Sequence, residues 1–324
     1  VASGTSSLDG VACASDTACV AVGDDPQGLG VVMPIANGTP GAVRVAFAAT
    51  RLLSVACTTT TTCMAVGYTP PNLQGQVEGV VQPITREYRD PALGCRGLPS
   101  LGLACTSPTS CVAVGSSPSG KAVVVPVTNG SPGVVHVVAG TSLLDGVACL
   151  TPVTCVAVGS SDFNQGVVVL VASGVPEVPR AVFGTSRFSG VACPTVNRCE
   201  VVGQKGTLGT LQAVVVPLTD GTPGAAQVVS GTDQLAAVAC PSATVCESVG
   251  ANAPASGIGS PGHGMVLLID SGGGRAGLIV PGAFQVLNLS CPGTTACEAV
   301  GTNSGDPSSS QGMVMTIAPS AAHH

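Results

Sequence analysis

Seven Cys-x5-Cys pairs divide this 324-residue chain into near-equal units: Cys13/Cys19, Cys57/Cys63, Cys105/Cys111, Cys149/Cys155, Cys193/Cys199, Cys240/Cys246 and Cys291/Cys297. The first cysteines follow one another at intervals of 44, 48, 44, 44, 47 and 51 residues. Each pair sits in the same local sequence, with an apolar run ending in Cys, five small or polar residues, and a second Cys followed by a short apolar run and Gly. A period in the forties is that of a four-stranded propeller blade. The repeat at Cys105 shows the strands. Leu101 to Cys105 reads as strand A, Cys111 to Val114 as B, Ala122 to Val127 as C and Val134 to Val138 as D. Asn129-Gly130, between C and D, is a type I′ hairpin signal, repeated as Asn37-Gly38 and Asp220-Gly221. No segment has a helical period with caps.

Both faces of the inner strands are apolar. In strand B of the first repeat, Cys19 and Ala21 share one face and Val20 and Val22 the other. A strand wedged between two neighbouring blades needs that; a strand with one wet face does not. The cysteines flank the A–B turn, where each bridge closes a loop of about seven residues and contributes roughly 2 kcal/mol. The chain has no Trp and two Tyr, so the bridges are expected to replace part of the aromatic packing other propellers use.

The ends complement each other. The last repeat supplies A (Val286 to Cys291), B (Cys297 to Val300) and C (Met313 to Ile317) and lacks a fourth strand. The opening Val1-Ala2-Ser3-Gly4-Thr5-Ser6 matches the end of strand D elsewhere, as in Val138-Ala139-Gly140-Thr141-Ser142. The expected fold is therefore all-β: a seven-bladed β-propeller with four strands per blade and one intra-blade disulfide per repeat, closed by the N-terminal strand completing the C-terminal blade. It is expected to be a single domain over 1–322, with His323-His324 a tag remnant.

Composition narrows function by exclusion. Charged residues make up 9% and net charge is −6, which lacks the basic footprint of a nucleic-acid binder. No apolar run is long enough for a transmembrane helix. Fourteen paired cysteines point to an oxidising compartment, so the protein is expected to be secreted or at the cell surface. Zinc sites want Cys spacings of two to four and converging ligands, so neither a metal nor a cofactor is expected.

The unit Leu8-x-x-Val11-x-Cys13-x-Ser15-Asp16-x-x-Cys19-Val20-Ala21-Val22-Gly23, followed by Val31-Val32 and Asn37-Gly38, resembles the BNR-type propeller repeat. It is similar to repeats of sialidase-like and photosystem II assembly-factor-like propellers, and to secreted actinobacterial proteins with Cys-Val-Ala-Val-Gly repeats. The resemblance covers nearly the whole chain and implies a fold. Sialidase chemistry needs an arginine cluster, a tyrosine and acids. Here Arg86, Tyr88, Arg89 and Arg96 gather only in one irregular segment, so that activity is not implied.

In a propeller, the B–C and D–A connections open on one face and the A–B and C–D turns on the other. The A–B turns have one length, whereas the B–C loops Gly67 to Gly79, Gly203 to Ala213 and Gly250 to Gly264 are long. Variable loops on a constant scaffold are where binding sites are carried. The candidate ligand-binding residues on that face are Asp24, Asp25, Tyr68, Asn72, Asp162, Asn164, Lys205, His263 and Asp306, beside Gln74, Glu78 and Gln204. Asp9 and Asp145, just before strand A, are placed near the channel. Converging carboxylates there would suit Ca²⁺, but these acids do not recur in register. No Gly-x-Ser-x-Gly elbow and no His-Glu-x-x-His occurs. His136 belongs to strand D at the outer rim, which leaves His263 as the one candidate general base.

Cys95 is the unpaired cysteine and a candidate free thiol for an intermolecular bridge. The function expected is a binding or scaffold module for an extracellular protein or ligand, acting through the B–C/D–A face. The alternatives are a hydrolase or lyase with a site at the channel mouth, and a cell-surface assembly protein joined through Cys95 or by strand exchange at the terminal blade.

Overall fold

The alternation of small β-branched residues and glycines produces seven sheets in sequence order, each a run of antiparallel neighbours. The structure is a computed structural model. It describes residues 1–46, 49–72, 77–85, 93–95, 100–207, 210–252, 262–270, 273–274, 277–306 and 309–318, with only the backbone at 93–95 and at 100–101. No helix occurs among them. Blade 4 shows the plan: strand A Thr141–Thr151, B Thr154–Ser161, C Gly166–Ala172, and a D strand in two pieces, Val175–Pro176 and Arg180–Val182. Strands A of successive blades touch around the ring. Strand A of blade 1 (Ser7–Ser15) packs on strands A (Gln285–Ser290) and B (Cys297–Thr302) of blade 7, so the ring closes.

All seven predicted disulfides are present. Cys13, Cys57, Cys105 and Cys149 stand directly opposite Cys19, Cys63, Cys111 and Cys155 in the A–B ladder. The core is layered between blades. One cluster joins Val20, Val22 and Val32 of blade 1 to Leu52, Cys57 and Cys63 of blade 2. Its members are small, and among the described residues Phe188 is the one aromatic in the set of largest fully buried side chains.

Three expectations about strands need correction. Strand D is broken rather than continuous: in blade 3 it runs as Ser131–Pro132 and His136–Val137, not Val134 to Val138. The Pro-Gly that follows the turn interrupts the ladder, and the Gly133 amide turns back to the Pro126 carbonyl at 2.7 Å. A proline is tolerated because this strand is the outermost of the blade. Asp9 and Asp145 lie inside strand A, not before it. The ladder slips between Leu8 and Gly10 and between Leu144 and Gly146, leaving each Asp as the extra residue of a β-bulge.

The third correction concerns the last two bridges. In blades 6 and 7 strand A ends at Ala239 and Ser290, one residue short of Cys240 and Cys291. Cys246 and Cys297 each open strand B, with no A–B ladder partner of their own. Cys246 keeps only its strand-C partner, Ile269, as Cys297 keeps Ile317. The Cys246 sulfur is a core group, packed among Val202 and Val215 of blade 5 and Leu267 of blade 6. A proline follows the first cysteine in blades 5, 6 and 7, as Pro194, Pro241 and Pro292; in blades 6 and 7 strand A ends before the Cys-Pro step.

The same bulge occurs in all seven A strands, and it explains the glycine that ends each Cys-x-x-Val-Gly run. A Cβ on Gly159 would stand 2.0 Å from the Leu143 carbonyl oxygen, and Gly23, Gly67, Gly203, Gly250 and Gly301 meet the same obstacle. Strand A cranks down onto strand B at this point, and only a residue without a side chain admits it. Gly159→Ala is expected to destabilise the fold by about 3 kcal/mol, because the clash is with backbone that cannot rotate away. Denaturant unfolding measures this, and a loss below about 1 kcal/mol would contradict it.

The other local signals hold. Asn37, Asn129 and Asp220 have positive φ and precede glycines with positive φ, as type I′ turns require, and Ser173-Gly174 makes a fourth. At the closure, the Ala2 amide donates to the Gly312 carbonyl at 2.7 Å, and Thr5 Oγ1 accepts from the Gly312 amide at 3.2 Å. The N-terminal segment completes blade 7 through this single bridge at Ala2, not a full strand.

Candidate functional site

The D–A and B–C connections share one face and bond to each other there. The Asp162 amide donates to the Gly140 carbonyl, and Ser186 Oγ to the Gly206 carbonyl. Two loop-face candidates, Asp24 and Tyr68, come together on this face with Asp9, expected near the channel. Asp24 ends strand B of blade 1 (Ala18–Asp24), Tyr68 ends strand B of blade 2 (Thr62–Tyr68), and Asp9 sits in the bulge between them in space. Arg51, the first residue of strand A in blade 2 (Arg51–Thr59), clamps the group. It holds Asp9 through two bonds of 2.6 Å and lies 3.5 Å from Asp24. Ser7 Oγ donates to Asp24 at 2.5 Å. Asp9 strengthens the protonation of Arg51 against the opposing effect of burial. Burial pushes the Asp24 carboxyl above its ordinary range, against Ser7 and Arg51, which lower it.

Blades 4 and 5 repeat the device. Asp145 takes two bonds from Arg187 of the next blade, at 2.5 and 2.7 Å. Burial raises the Asp145 carboxyl, against the hydrogen bond and charge of Arg187. The two acids weighed for a cation are therefore each satisfied by an arginine one repeat on. A bulge aspartate and a strand-leading arginine 42 residues later are the signal that reveals the pairing.

The remaining candidates are scattered. The Asp25 carboxylate accepts from the Gln27 and Leu29 amides and holds its own loop in shape. Asp162 pairs with Lys121 of blade 3 at 2.7 Å, and Asn164 supplies a left-handed residue to the same tight turn. Lys205 ends strand B of blade 5 opposite Gln212, which leaves only 206–211 between strands B and C there. His263 begins strand C of blade 6 (His263–Asp270) and is exposed. Asn72 and Asp306 lie in the loops of blades 2 and 7. Cys95 closes strand D of blade 2 (Leu93–Cys95), but its side chain lies outside the described residues. Gln74, Arg86, Tyr88, Arg89 and Arg96 lie outside them too.

The channel wall combines small residues such as Val55, Gly146, Val191 and Ala237 with the polar Ser54, Asp145, Ser189 and Asn288, around a cavity of about 160 Å³. A second cleft, of about 260 Å³, opens between blades 1 and 2 beside the A–B turns; Pro34, Ile35, Cys57 and Ile84 make it mostly apolar. Glu247, Cys291 and Cys297 approach one another within 4.8 Å, but both sulfurs are spent on a bridge, leaving no thiolate for a metal. The Cys240–Cys246 bridge is likewise closed.

Two aromatics escaped the sequence reading. Phe163 and Phe183 are 84% and 82% exposed on the loop face. They hang from paired strands of blade 4, where Gly166 stands opposite Val182, so the two tips are neighbours. Their signal was present: two of five phenylalanines fall in turn sequences, Asp162-Phe163-Asn164 and Phe183-Gly184.

No family model and no curated protein matches the chain. Solved structures do. The WD40 β-propeller domain of Doa1 is similar over 91% of this chain and 90% of that one, with TM-score 0.64 and 11% identity. Kuenenia stuttgartiensis hydrazine synthase is similar over 93% and 77%, with TM-score 0.55 and 11% identity. At that identity the likeness is one of fold, a seven-bladed propeller.

Proposed function

We propose that this chain is a secreted or cell-surface binding module of BNR-like repeats, forming one domain, that presents its B–C/D–A face to a protein partner. The observation that carries the reading is the pair Phe163 and Phe183, both more than four-fifths exposed on one blade. Aromatics are 2% of the chain, and the core uses almost none of them, so two on neighbouring loop tips are costly to leave in water without a partner. The Lys121–Asp162 pair beside them supplies a polar rim. Asp24, Asp25, Tyr68, Asn72, Asn164, Lys205, His263 and Asp306 extend that face around the ring. Among the described residues these two cavities, at about 160 and 260 Å³, fall below the ~300–1,000 Å³ of small-molecule sites, which favours a protein over a small ligand. Asp9 and Asp145 are each taken up by an arginine, Arg51 and Arg187, which argues against their acting as a hydrolase or lyase pair.

The test is capture from the source organism's envelope or medium with the intact propeller as bait. The Phe163→Ser/Phe183→Ser variant is expected to lose the captured partner at least tenfold. Val153→Ser/Val196→Ser, on exposed A–B turns of the opposite face, is expected to retain it. Equal retention by the Phe variant would overturn the reading.

A further inference from the structure

Strand B carries a residue just after its second cysteine that faces the next blade. In blades 1 to 4 it is Val20, Met64, Val112 and Val156. Val20, Met64 and Val112 pack with the disulfides Cys57–Cys63, Cys105–Cys111 and Cys149–Cys155, and Val156 with Cys193 and Cys199. In blades 5 to 7 it is Glu200, Glu247 and Glu298, all buried. Glu200 is held by Arg198 at 2.7 Å, and Glu298 accepts from Thr316 Oγ1 at 2.9 Å. Glu247 differs. It is 2% exposed and its Oε2, like that of Glu298, has no hydrogen-bond partner among the described residues; what sets it apart is that its carboxyl lies within 4.8 Å of both sulfurs of Cys291–Cys297.

We propose that Cys291–Cys297 is an exchangeable disulfide, reduced by external dithiols, and that the Glu247 carboxyl donates the proton to the departing sulfur. Cys291 is partly exposed and Cys297 fully buried, so attack comes at Cys291 Sγ. One thiol of the dithiol ionises, releasing a proton to solvent, and its thiolate forms a bond to Cys291 Sγ. The Cys291–Cys297 bond breaks, and Cys297 Sγ leaves with its electron pair and takes the Glu247 proton. The second thiol then attacks the mixed disulfide and Cys291 Sγ leaves, protonated by the hydrogen that this thiol loses. Glu247 recovers its proton from solvent. The bridge is reduced to two thiols and the dithiol is oxidised to a disulfide.

The environment supports a neutral donor. Burial pushes the Glu247 carboxyl up to about 7, and no nearby charge contributes. The ionisable groups on the packed strands are His263 and Asp270 toward the two ends of strand C of blade 6, and Glu298 on strand B of blade 7, which is turned toward Thr316. Strand A of blade 6 (Gln234–Ala239) and strand A of blade 7 carry none.

The test follows each bridge separately. The protein is exposed to limiting dithiothreitol, its free thiols are alkylated, and reduced Cys291–Cys297 and Cys149–Cys155 are counted by peptide mass spectrometry. Taking the ratio of the two rates cancels the ionisation of the reagent. That ratio is expected to exceed ten at pH 6 and to fall about tenfold by pH 8. Glu247→Gln and Glu247→Val, the latter restoring the residue of blades 1, 3 and 4, are expected to give a small ratio independent of pH. A ratio that is flat with pH in the native protein would overturn the proposal. So would selective reduction that persists in Glu247→Val, because that would trace it to opening of blade 7.

Discussion

Reducing all seven bridges is expected to lower the midpoint of thermal unfolding by roughly 20 °C. Each bridge joins residues whose Cα atoms are 3.8 to 4.2 Å apart across the A–B hairpin. Closing a seven-residue loop removes denatured-state freedom amounting to roughly 2 kcal/mol, so seven independent staples reach on the order of 15 kcal/mol. That equals the upper range of the net stability of a whole domain. The effect is large because packing offers little reserve: the clusters between blades are built from Val, Ala and Leu around the sulfurs. Calorimetry with and without reductant, with thiols counted, measures the shift. Cys149→Ala/Cys155→Ala should show about one seventh of it. Superimposable melts would mean that the bridges are ornaments on a fold held by other forces.

Stability is expected to fall as pH rises from 5 to 8. Glu247 sets the sign. Its carboxyl titrates near 7 in the folded protein against an ordinary 4.5. Between those values the native state holds a proton that the unfolded chain has released, so each step up in pH favours unfolding. The stabilisation is complete below about pH 4.5, is lost through about pH 7, and stays lost above it. The full change is on the order of 3 kcal/mol for this one residue. Asp24, Asp145 and Glu298 are raised as well, with burial as the leading cause, and act in the same direction. Glu247→Gln never charges, so it should flatten most of the slope and unfold at higher urea than the native protein at pH 8. Urea titrations at pH 5, 6, 7 and 8 decide this. A native stability that rises with pH would contradict the account.

The features readable in the sequence were those that recur at fixed spacing. Cysteine pairs counted the blades, and Asn-Gly and Asp-Gly turns located the C–D hairpins. The opening residues matched the end of strand D closely enough to bring the N-terminus to blade 7, where one bridge, Ala2 to Gly312, stands in place of the expected strand. The broken strand D was not readable as such, because Val134 to Val138 has the composition of a strand. The interruption comes from the preceding Pro132-Gly133, whose effect depends on where the Gly133 amide finds its carbonyl. The role of the strand-B glycine required the backbone: a bulge in strand A is invisible in composition. The ion pairs were hidden for another reason. Asp9 and Arg51 lie in adjacent blades, so neither repeat alone shows why the other residue is there. Glu200, Glu247 and Glu298 carried a repeat signal, each following the second cysteine of its pair, but only their burial gives it chemical meaning.

The loop face as the binding surface is tested most directly by hydrogen exchange of the propeller alone and with its captured partner. Protection is expected at 162–165 and 182–186, around Phe163 and Phe183, with the A–B turns at 59–62 and 151–154 unchanged. Protection confined to those A–B turns would place the partner on the disulfide face and contradict the account.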